Sequence, residues 1–105
     1  MPSDAHNTFI RRYRVTRWQM VQFRELLSDQ KNLTLHGTDE HGEVIIALPF
    51  RLGEIRLSYQ HILDGGVAQL EVTLVAAPAG FNRETVWSTI AQKIEQAQNA
   101  CPREI

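Results

Sequence analysis

The sequence predicts an α+β domain with elements in the order β-α-β-β-β-β-α, an antiparallel meander sheet with two helices packed on one face. Three observations carry this reading. A capping box at Thr16-Arg17-Trp18-Gln19 opens a stretch with apolar residues three and four apart. From Asn32 to Ala77 the apolar period becomes two, broken by the turn-rich segments TDEHG, PFRLG and LDGG. After Asn82 the helical spacing returns.

The first strand spans Thr8 to Val15, where Phe9, Tyr13 and Val15 share one side and Arg11 interrupts them. The first helix then gathers Met20, Phe23 and Leu27, with Val21 and Trp18 alongside, and Ser28-Asp29-Gln30 ends it. Its polar side carries Gln19, Gln22 and Glu25. With Asp64-Gly65 at the tip of the last hairpin, Tyr59 faces Leu70, Leu57 faces Val72, and Ile55 faces Leu74. Across PFRLG, Leu48 faces Ile55 and Ile46 faces Leu57; across TDEHG, Leu35 faces Val44 and Leu33 faces Ile46. All three hairpins therefore bury the same face. In the second helix Val86, Ile90, Ile94 and Ala97 form the stripe, Trp87 and Ala91 widen it, and Pro102 stops it.

This element order resembles the arrangement shared by TATA-binding-protein-like and helix-grip folds, over most of the chain and in topology only. Those folds host DNA binders, lipid and hormone carriers and adaptors, so the resemblance implies a fold and no particular activity.

A chain of 105 residues with 43% hydrophobic and 22% charged residues is sized for one core. Residues 1–7 read as a disordered lead-in, 8–101 as a single α+β domain, and 102–105 as a C-terminal tail. A formal net charge of -1 removes the bulk attraction that nucleic acid or an anionic membrane requires. One cysteine, no apolar run of about 20 residues and a polar start, MPSDAHNT, point to a reducing, cytoplasmic setting. Cys101 reads as a small apolar residue at a helix end rather than a catalytic thiol.

Four groups of residues qualify as candidate sites. His36, Asp39, Glu40 and His41 share one hairpin, but their spacing equally suits a solvated turn, so no metal or cofactor is assigned. His61 falls on the apolar face opposite Ala68; with Tyr59 it is a candidate polar anchor for a small apolar ligand, although Leu57, Leu70, Trp18 and Trp87 compete for the volume. Arg11, Arg12, Arg14 and Arg17 mix with Tyr13 and Trp18 as in single-stranded nucleic-acid sites, although alternation separates Arg11 from Arg12 and Arg14. The fourth group is the polar face of the sheet. It carries Arg56, Glu71 and Thr73, with Ile45, Ala47 and Val75 as apolar islands.

With no nucleophile–base pair in view, the expected function is a non-catalytic protein-interaction module, self-associating as a homodimer through the open sheet face or an edge strand. Nucleic-acid binding and small-ligand carriage are the alternatives.

Overall fold

A computed structural model describes residues 9–99. The lead-in at 1–7, the tail at 102–105, Cys101 and Pro102 lie outside the described residues. The chain forms β1 (Ile10–Arg14), α1 (Arg17–Ser28), β2 (Leu33–Gly37), β3 (His41–Ala47), β4 (Glu54–Asp64), β5 (Val67–Ala76) and α2 (Arg83–Asn99). The five strands make one antiparallel sheet in the order β1-β5-β4-β3-β2, so β1 joins the free edge of the meander. The result is the α+β arrangement expected.

Local chemistry sets the boundaries of α1. The Thr16 hydroxyl accepts from the Gln19 N–H at 3.1 Å, and the Gln19 side chain accepts from the Thr16 N–H at 2.9 Å, a complete capping box. At α2 the Asn82 side chain accepts from the Glu84 N–H at 2.9 Å. Met20, Phe23 and Leu27 of α1 and Val86, Trp87, Ile90, Ile94 and Ala97 of α2 form one core. From the sheet, that core takes Val44, Ile55, Leu57, Tyr59, Leu70, Val72 and Leu74.

Side chains on this core side alternate with a bare side, as the period of two requires. Trp18 and Ala91 depart from the expected stripes. Trp18 is 37% exposed and Ala91 is exposed, because each lies at the rim of its helix's buried arc. Phe9 is half exposed, with the Arg83 guanidinium 4.8 Å above its ring.

The β2–β3 register is the expected one: Leu35 pairs with Val44, and Leu33 with Ile46. The other two hairpins are displaced by two residues. In β4–β5, Tyr59 faces Val72, Leu57 faces Leu74, and His61 faces Leu70 rather than Ala68. The cause is the tip: Gly65 (φ 60°) and Gly66 (φ 85°) occupy it together, the two-residue turn with positive φ at both centres that matches strand twist.

In β3–β4, Ile46 faces Ile55 and Val44 faces Leu57, since the Leu48 N–H donates to Gly53 O at 2.9 Å and closes the loop one step tighter. A shift of two leaves every side chain on its own face, so the buried set is unchanged. A bulge beside Arg56 and Leu57 leaves Val75 without a partner in β4, between Leu74 and Ala76.

Gly37 and Gly42 face one another across β2–β3, and Tyr59 flanks Gly42 on β4. A methyl group on Gly42 would collide with the His36 carbonyl and the Tyr59 hydroxyl, whereas one on Gly65 meets open space. Gly42→Ala is therefore expected to cost about 2–3 kcal/mol and Gly65→Ala, where only the positive φ opposes it, about 1 kcal/mol. Urea unfolding of both variants beside the parent checks the order.

Candidate functional site

The bare side of the sheet is organised in rows across the strands. One row runs Thr34, Ile45 and Arg56, the next His36, Glu43, Ser58, Thr73 and Ile10, and a third His41, Gln60, Glu71 and Arg12. Arg56 pairs with Glu54 at 3.0 Å and Glu43 at 3.4 Å, and Arg12 pairs with Glu71 at 2.9 Å. Ile45 and Thr73 are half-buried between these ladders, while Ala47 and Val75 are exposed at one end. Of the face residues expected to form an interface, only these last two are exposed.

The arginine cluster is dispersed. Arg11 lies on the core side, 5.0 Å over the Trp87 ring and 3.7 Å from Glu84, while Arg12 and Arg14 are on the bare side. Arg17, at the start of α1, reaches Glu40 at 3.4 Å. Three of the four guanidiniums thus face carboxylates, and the four are split between the two sides of the sheet.

The hairpin holding His36, Asp39, Glu40 and His41 is a braced turn. Arg24, which sequence reasoning passed over, donates to Asp39 at 3.0 Å and to the Gly37 carbonyl at 3.0 Å, tying the turn to α1. Burial pulls the Arg24 pKa down, but the Asp39 hydrogen bond and the nearby Tyr59 more than offset it, so the net shift is upward. Its Nε is buried without a partner among the described residues. The two carboxylates of the turn therefore face cations of the chain itself.

Tyr59 and His61 are structural ties. The Tyr59 hydroxyl donates to Thr38 O at 2.6 Å, and burial pushes its pKa above the usual phenol value of 10.0, with Arg24 opposing. His61 Nε2 lies 2.6 Å from the Val15 carbonyl, which can only accept, so Nε2 carries the proton. The His61 backbone N–H donates to Glu40 O at 2.7 Å. His61 also lines an open hollow with Arg17, Glu40, His41, Gln60 and Leu63.

Two features escaped sequence reasoning. The first is an apolar end of the sheet: Phe50 is 90% exposed, Leu52 63% and Val75 56%. All three lie at one end of the sheet, where β3 ends, β4 begins, and β5 ends. Phe50 also has φ 58° and ψ 27°, left-handed backbone that a bulky side chain disfavours. The signal was in PFRLG, a turn with two large apolar residues where polar ones are usual. The second is an apolar cleft of about 170 Å³ between the helices and β2–β3–β4, walled by Leu27, Leu33, Ile46, Ile55, Phe81 and Ile90. Neither Tyr59 nor His61 lines it.

Among the described residues no helix is long and apolar enough to cross a membrane. No protein-family model matches the chain, and no curated protein matches it significantly.

The raised Tyr59 pKa has a sign. A phenol that holds its proton more tightly when folded contributes stability present below pH 10 and lost as pH rises through the folded value. Tyr59→Phe is therefore expected to lose about 1 kcal/mol at pH 7 with its hydrogen bond, yet to fall less steeply than the parent above pH 10. Unfolding free energies from pH 7 to 11 read out both effects.

Proposed function

We propose that this protein is a non-catalytic interaction module that self-associates through the apolar end of its sheet. The observation that carries the reading is Phe50, a 90% exposed aromatic held on left-handed backbone. Both properties oppose stability of the isolated chain, the first by leaving a ring in water and the second by a backbone cost of about 1 kcal/mol or more. A contact that buries the ring offsets them, and rigid aromatics ringed by smaller apolar groups are the usual anchors of protein interfaces. Leu52, Val75 and Ala47 are exposed apolar residues at the same end of the sheet.

A second copy of the chain is the partner that fits. With a formal net charge of -1, two copies meet with little repulsion. The slab-like molecule, 45 × 39 × 21 Å, has sides of the order of the roughly 800 Å² that each partner buries in a stable complex. The ladders on the bare face, already paired within the chain, form a border to this contact rather than its centre. A reducing, cytoplasmic setting goes with the reading, since a chain with one cysteine has no internal disulfide to keep. Nucleic-acid binding has less support, because it would have to displace the ion pairs of Arg11, Arg12 and Arg17.

Phe50→Gly separates the contact from the fold. The variant is expected to weaken self-association at least about tenfold, while the monomer gains about 0.5–1 kcal/mol because glycine accepts the left-handed conformation freely. Sedimentation equilibrium gives the first quantity and urea unfolding at low concentration the second. A parent that stays monomeric at high concentration, or a variant that associates as tightly as the parent, sinks the reading.

A further inference from the structure

We propose that the cleft between the two helices and the outer strands is a binding site for a small apolar monocarboxylate, with Lys93 as its counter-ion. The walls come from Leu27, Leu33, Ile46, Ile55 and Ile90, and the cavity measures about 170 Å³. An apolar cavity of about 150 Å³ accommodates one benzene ring, so this one holds a ligand of six to nine heavy atoms by the same measure. The rim sets the charge. Lys93 of α2 lines the cleft half-buried, and among the described residues no carboxylate lies within ion-pair distance of it.

A cation beside an apolar wall is poorly hydrated on that side, and a carboxylate seated there gains a charge-assisted hydrogen bond. Gln30 and Thr85 also line the cleft, and the Thr89 hydroxyl is turned back onto the Thr85 carbonyl at 3.0 Å. The recognised chemistry is thus one short aliphatic or aromatic body with a single acid group.

The test is titration of the full-length ¹⁵N-labelled protein with benzoate and hexanoate at neutral pH, followed by amide shifts. Saturable binding in the millimolar range or tighter, with shifts at Leu33, Ile46, Thr89 and Lys93, is expected. Benzyl alcohol, of similar shape without the charge, should bind at least about tenfold more weakly. Lys93→Gln should lower benzoate to the level of the alcohol with an unchanged thermal midpoint, and Thr85→Trp, which fills the mouth, should abolish both. Absence of saturable binding, equal affinity for acid and alcohol, or undiminished benzoate binding by Lys93→Gln overturns the proposal. Those results leave self-association through Phe50 untouched, since oligomeric mass is measured separately.

Discussion

The carbonyl of Val15 is the point on which the two halves of the fold depend. Val15 is fully buried where β1 ends and α1 has not begun, so its backbone groups have neither a complete ladder nor a helix to join. A buried carbonyl without a partner is costly, and here the ring of His61 supplies the donor from β4. The Val15 N–H donates to Ala68 O of β5, and the backbone of His61 continues to Glu40 in the turn just before β3. One residue on each side thus ties β1 and α1 to the whole meander. An imidazole on an otherwise apolar face looks anomalous until that carbonyl is in view.

The same economy governs the edges of the sheet. In β1 the odd residues turn their backbone toward β5, as Leu74 N–H to Phe9 O shows, which leaves the even ones facing outward. Of these, Ile10 O accepts from the Arg11 guanidinium and Arg14 O from Gln98 of α2. At the other edge Gly37 O accepts from Arg24, and Leu33 N–H donates to Gln30 O. Side chains and turns blunt both edges in the way that discourages further strand pairing. Ladders of arginine and glutamate occupy the bare face between them. The apolar end around Phe50 is left uncovered, with Phe50 the most exposed of the described large apolar residues, which is why the proposed contact moves there from the face and the edges.

The sequence was legible wherever one rule decided the outcome. Both helices start at their capping residues, and period two separates the sheet's sides because slipping by one residue would turn Leu57, Tyr59 and Leu70 into water. Register was less legible, since a slip of two changes no side and only the turn distinguishes the alternatives. The paired positive φ angles of Gly65 and Gly66 settled it in one hairpin and the Leu48–Gly53 hydrogen bond in the other. The sites were least legible. The exposure of Phe50 was signalled only by the apolar residues of the turn PFRLG, and the cleft beside Lys93 arises from how distant segments leave space, which no local pattern encodes.

The bulge at Val75 gives the sheet an uneven tolerance to change in chain length. Residues added to or removed from a hairpin tip in pairs keep the facing of both strands, whereas a single one forces half a strand to turn over unless it is absorbed elsewhere. Val75 is a place where one surplus residue is already absorbed, near the end of β5 and away from the glycine tip. Drift in loop length can therefore proceed by twos at the tips, with odd steps stored at the bulge, while the core beneath the helices stays the same.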